Sequence, residues 1–98
     1  MKTKENAINV IKAIKHPAIN YSLFDLGIVK DIEINDDTVN LTFAFPFPDI
    51  PIADALINSI AQPLKNIGFD FVHKVVIMTD EEKAKFLQME TQGWKGGV

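Results

Sequence analysis

The sequence predicts an α+β fold: a single small domain of order αββαβα, with helices packed on one face of a mixed three-stranded sheet. Three observations predict it. Apolar residues recur at helical spacing in separate stretches, an alternating apolar and polar run follows a turn cluster, and the interval before the last strand pattern is long enough for a right-handed parallel crossover. At 98 residues the chain has material for one core. Folding a chain of this size removes roughly 60–70% of its accessible surface from water. No repeat, linker or low-complexity segment divides it.

Ala7, Val10, Ile11 and Ile14 hold i, i+3, i+4, i+7 spacing, so residues 3–15 read as an amphipathic helix. Thr3 suits its N-cap, and Glu5 suits the positive end of the helix dipole. His16-Pro17 ends the pattern, because a residue before proline is pushed out of the helical region. Residues 20–27 read as an irregular loop and residues 28–34 as the first strand. Asn35-Asp36-Asp37 is a turn cluster; beyond it Val39, Leu41, Phe43 and Phe45 alternate with Asn40, Thr42 and Ala44, completing a hairpin with one core-facing side. Ala53, Leu56, Ile57, Ile60, Leu64 and Ile67 mark one face of a second helix. Pro63 should kink that helix or tighten its last turns, because it deletes the bond to the Ser59 carbonyl, and Gly68 fits the left-handed residue that closes it. Residues 69–78 form the third strand. Thr79 and Glu82 make a capping box that opens a third helix to about Gln92. A flexible tail is expected from about residue 93.

Apolar residues are 47% and charged residues 23% of the chain, the balance of a soluble globular protein. A net charge of -3, with ten lysines, no arginine and no basic run, gives no footprint for nucleic acid. No window approaches the ~20 apolar residues of a membrane span. Residues 1–12 lack the apolar core of a secretory signal, so a cytoplasmic location and no membrane partner are expected. With no cysteine, the chain alone supplies no disulfide, thiolate nucleophile or cysteine-held metal centre.

The two histidines, His16 after a helix end and His73 within a strand, fit no metal-ligand spacing, so no metal or other cofactor is expected. Asp36 and Asp37 are turn residues, and Asp80, Glu81 and Glu82 suit a first helical turn. Asp25 is bracketed by Leu23-Phe24 and Leu26-Gly27. If buried it must accept hydrogen bonds from amides or a hydroxyl, so it reads as a loop-fixing acid or a site acid. Gly93-Trp94-Lys95-Gly96-Gly97 lacks a phosphate-loop ending and follows a helix, not a strand. Phe86, Leu87, Met89 and Trp94 either cover the sheet or face a partner, and cover is expected because a three-stranded sheet needs it. Between the second strand and second helix lies Phe45-Pro46-Phe47-Pro48-Asp49-Ile50-Pro51, a stiffened exit without any nucleophile. There Asp49 suits an N-cap and Pro51 a first helical turn.

Ser22-Leu23-Phe24-Asp25-Leu26-Gly27-Ile28-Val29, together with Pro51-Ile52-Ala53-Asp54-Ala55-Leu56, resembles the SufT/PaaD-like iron–sulfur cluster assembly domain family. That domain also forms the N-terminal part of Mrp-type P-loop ATPases. The resemblance runs from residue 12 to about residue 78 and carries the same αββαβα order. It is specific in the DLGIV and PIADAL segments. Where the family has Asp-Pro-Glu, this chain has His16-Pro17-Ala18. Where the family has Thr-Pro-Gly-Cys-Pro, it has Phe47-Pro48-Asp49-Ile50-Pro51, so the family cysteine corresponds to Ile50. The resemblance places that cysteine in the first turn of a helix, where the dipole favours a thiolate. Of the family site Asp25 remains, with Gly27 beside it and Asp54 matched in the second helix.

The resemblance implies a non-enzymatic accessory or adaptor role in iron–sulfur cluster assembly, with assembly or target proteins as partners. Without the thiol, the expected contact surface is the Asp25 loop and the junction, with Phe45, Phe47 and Ile50 as apolar anchors. Two alternatives stand beside it. One is a cysteine-free interaction module, including a homodimer through the sheet edge or the last helix. The other is a hydrolase using Asp25 and Asp54, which needs both carboxylates together in a cleft.

Overall fold

Residue 38 begins an eight-residue strand that has a partner on both edges, and the fold is arranged around it. The computed structural model describes residues 3–17 and 19–94; of the tail expected from about residue 93, Gly93 still belongs to the last helix and Trp94 bridges to Ile19, while residues 95–98 and Ala18 lie outside the described residues. The elements are α1 (Lys4–Ala13), β1 (Val29–Asn35), β2 (Thr38–Phe45), α2 (Ala53–Asn66), β3 (Asp70–Ile77) and α3 (Asp80–Gly93). The sheet order is β1-β2-β3. β1 runs antiparallel to β2, and β3 runs parallel to it in unbroken register from Thr38↔Asp70 to Phe45↔Ile77. The αββαβα order and mixed sheet are those the sequence predicts.

The core face of the sheet carries Val39, Leu41, Phe43 and Phe45, all buried, against Ala7 and Ile11 of α1 and Leu56, Ile60 and Leu64 of α2. The ring of Phe43 lies nearly parallel to Phe45 and meets Phe71 and His73 in T-shaped contacts. β1 reaches this face through a bulge. Val29 opposes Phe43 and Ile34 opposes Val39, with the register shifting between Lys30 and Glu33. Val29 and Ile32 are three residues apart, so a regular strand would point them to opposite faces. The extra residue, with Asp31 at φ 53, resets the alternation.

The termini of the helices show how local chemistry sets them. Thr3 caps α1 by accepting from the Asn6 amide at 3.1 Å. α2 contains Pro63 and closes with a Schellman pair: the Phe69 amide donates to the Leu64 carbonyl at 2.9 Å and the Gly68 amide to the Lys65 carbonyl at 3.0 Å. Its start departs from expectation. The N-cap is Ile52, with no side-chain cap, and Asp49 instead adopts φ 59 outside the helix. The chain turns once more before helical geometry begins, the Ala53 amide donating to the Ile50 carbonyl. Asp49 and Pro51 therefore precede the helix rather than cap it.

Residues 20–27 are more ordered than an irregular loop. Lys15 pairs with Ser22 in an isolated antiparallel bridge, and the Leu23 amide donates to the Ile14 carbonyl. Leu23, Leu26 and Ile28 are buried. At the far end Thr79 and Glu82 form the capping box of α3, and Glu82 Oε2 also pairs with Lys30 Nζ at 2.9 Å. One carboxylate thus starts α3 and ties it to β1. Lys30 holds that carboxyl below its ordinary value, helped by the Thr79 amide, and Glu82 in turn raises Lys30.

Thr79→Ala is expected to cost about 1 kcal/mol, lowering the melting temperature by about 4–8 °C. The pH dependence follows from the signs. The depressed Glu82 contributes stability above its unfolded value of 4.5 and loses it as pH falls through the folded value. The raised Lys30 contributes below 10.5 and loses it as pH rises through its folded value. The melting-temperature difference between wild type and Glu82→Gln is therefore flat through neutral pH and shrinks at both ends.

Candidate functional site

The chain leaves β2 at Phe45 and does not turn helical until Ala53. The seven residues between include three prolines, which lack the amide donors a strand would use, and the segment runs through bends and a turn instead. Its side chains form one wall of an open apolar groove of about 320 Å³. Phe45, Phe47 and Ile50 lie along that wall, Ile28 and Leu56 lie deeper, and Phe86 and Trp94 of the α3 end form the opposite side. Phe45 and Phe86 are buried and Ile50 is half-buried. Phe47 and Trp94 keep 47% and 48% of their surface exposed, which makes them the aromatic rim. Lys83 of α3 sits 4.9 Å from the centre of the Phe47 ring and bridges the two walls.

The structure divides the predicted site residues into two groups. Phe45, Phe47 and Ile50 meet in the groove. Asp25, Asp49 and Asp54 are exposed and none of them lines it. Asp25 is not the organiser of its loop: its amide donates to Ser22 Oγ at 3.0 Å, so the serine side chain fixes the turn and the carboxylate faces solvent. Gly27 ends that turn at φ 80, a conformation that disfavours residues with a Cβ. Ile50 lies two residues before the N-cap of α2 rather than within its first turn, so the resemblance misplaced that position relative to the helix dipole. Exposure of both Asp25 and Asp54 also removes the desolvated carboxylate pair that a hydrolase reading needs.

His16, Glu90, Phe86 and Trp94 line the groove without having been read as site residues. The helix ahead of His16 ends at Ala13, and the His16 amide donates to the Tyr21 carbonyl, which turns this histidine inward and buries it. Trp94 is placed by the same loop: it bridges to Ile19, and the Asn20 amide donates to the Gly93 carbonyl at 2.7 Å. Gly93 permits this approach, since a Cβ there would lie 2.7 Å from two ring carbons of Tyr21. Of the four apolar residues expected to cover the sheet, Phe86 is buried and Met89 half-buried, while Leu87 and Trp94 stay exposed. Among the described residues no three His, Asp or Glu side chains converge as a metal site, and no helix is long and apolar enough to cross a membrane.

The family described as "Iron-sulfur cluster assembly protein" matches residues 4–77, from the start of α1 to the end of β3. An iron–sulfur cluster carrier protein of Synechocystis is 24% identical over 86 residues, covering 86% of this chain and 24% of that protein. An uncharacterized protein of Methanocaldococcus jannaschii is 35% identical over 37 residues, 38% of this chain and 39% of that protein. The chain thus spans less than half the length of either relative. The family match stops before α3, which supplies one wall of the groove.

Gly93→Ala is expected to destabilise the fold by about 1–3 kcal/mol through overpacking against Tyr21. Adding Tyr21→Ala should recover part of that loss if the clash is the cause. Thermal melts of the single and double variants check it, and equal melting temperatures for wild type and Gly93→Ala would contradict the close seating of α3.

Proposed function

Because the chain belongs to the iron–sulfur cluster assembly protein family, we propose that it acts as an adaptor in that process, holding an assembly or target protein through its groove without ligating the cluster itself. The observation that carries this reading is the groove at the β2–α2 junction, apolar within and rimmed by two half-exposed aromatic side chains. Isoleucine stands where the resemblance puts the family cysteine, and the chain contains none elsewhere. A hydrophobic side chain at Ile50 suits a contact surface and gives iron no ligand.

The chemistry required is modest. Interface energy concentrates in a few aromatic or aliphatic anchors that lose water on contact. A volume of about 320 Å³ admits one or two large apolar side chains of a partner. Lys83 over the Phe47 ring holds one rim residue in place before binding, which reduces the ordering cost on association. Cluster ligands would come from the partner, with this chain fixing where the partner sits.

The test is co-purification of the tagged chain with its bound proteins, identified by mass spectrometry, alongside Phe47→Ala and Trp94→Ala. Iron–sulfur assembly or client proteins should be recovered with the wild type. Each variant should weaken their binding by at least ~10-fold, the scale of an anchor residue. Recovery without any such protein, or variants that bind as the wild type does, would contradict the proposal. The purified chain should also carry no stoichiometric iron; stoichiometric iron would overturn the account of Ile50.

A further inference from the structure

The two edges of the sheet are treated differently. β1 is blunted: its register is broken by the bulge at Asp31, and it carries Lys30, Asp31 and Glu33. These are the usual devices that stop an edge strand from pairing with another chain. β3 has none of the backbone devices. It runs eight residues without a bulge or proline, and its outer edge has no strand partner among the described residues. Val72, Val75 and Ile77 along it are 51%, 49% and 49% exposed, so both faces of the strand show apolar surface to solvent. The C-terminal end of α3 is fastened to Ile19 and Asn20, on the loop that precedes β1.

We propose that this edge is a self-association surface, on which β3 pairs antiparallel with β3 of a second copy about a two-fold axis at Val72. The argument for a second copy is charge complementarity. Asp70, Val72 and Lys74 point to one face of the strand. An axis at Val72 sets Asp70 of each copy opposite Lys74 of the other, forming two identical cross-strand ion pairs. Moving the axis to His73 would oppose Lys74 to Val72, and moving it to Lys74 would oppose lysine to lysine. Neither Asp70 nor Lys74 has an ion pair among the described residues, so both charges remain available. A two-fold interface must be self-complementary, and this five-residue span is. The same axis sets Phe71 opposite His73, continuing the ring stack that already joins these residues within one copy at 5.3 Å.

Sedimentation equilibrium of the full chain tests the proposal with exposed-site variants. The wild type should dimerise in the micromolar range. Asp70→Lys and Lys74→Asp should each weaken self-association by at least ~10-fold, because each places like charges opposite one another twice. Mixing these two variants restores both pairs, so the mixture should form a heterodimer of wild-type affinity. Val72→Lys, which brings two lysines together at the axis, should be monomeric. Circular dichroism confirms that each variant is folded. A wild type that stays monomeric to ~1 mM, single variants that dimerise normally, or a mixture that does not associate would each overturn it. A monomeric wild type that captures a foreign extended peptide along β3 would count against a second copy as the occupant.

Discussion

The long-range pairing of β2 with β3 is the constraint from which the rest of the structure follows. Every residue of β2 from Thr38 to Phe45 has a parallel partner thirty-two positions later in the chain, and the crossover between them must contain α2. Among the described residues, only β2 is paired on both edges. Its Leu41 and Phe43 sit under the helices, and the extra residue in β1 keeps that neighbour's apolar side chains on the same face. The aromatic contacts between Phe43, Phe71 and His73 lie across this pairing, so side chains and backbone select one register together.

Where β2 ends decides where the groove is. The three prolines after Phe45 cannot continue a central strand, and they postpone the helix until Ala53. The exposed stretch this creates would be a liability if polar contacts were absent and nothing faced it. Here α3 closes the other side, positioned at its start by Glu82 on Lys30 and at its end by Gly93 against Tyr21. The groove is thus a product of helix capping at one end and close backbone approach at the other. Its apolar lining, with isoleucine at the position where the resemblance puts a cysteine, is what directs the proposed function toward contact rather than ligation.

The features legible in the sequence are those written in local spacing. Heptad-like apolar positions fixed α1 and α2, alternation fixed β2, and the three-residue interval between Thr79 and Glu82 fixed the start of α3. Features that depend on direction within a turn were misread. Asp25 has apolar neighbours, yet in a tight turn successive residues point different ways: Leu23 and Leu26 go inward, Phe24 and Asp25 outward. Asp49 has the right chemistry for a cap, but its left-handed backbone places it one turn too early. The groove itself is assembled from His16, the proline-rich junction, Leu56 and the end of α3, and no local pattern joins segments that distant.

The central claim is that protein contact at this groove, without a thiol, is how the chain takes part in cluster assembly. Hydrogen-exchange mass spectrometry of the full chain, with and without the partner recovered from cells, tests it most directly. Slower exchange in residues 45–57 and 86–94, with the Asp25 turn unchanged, is the predicted result. Protection confined to the Asp25 turn, or a complex whose footprint leaves the groove exchanging as in the free protein, would contradict it.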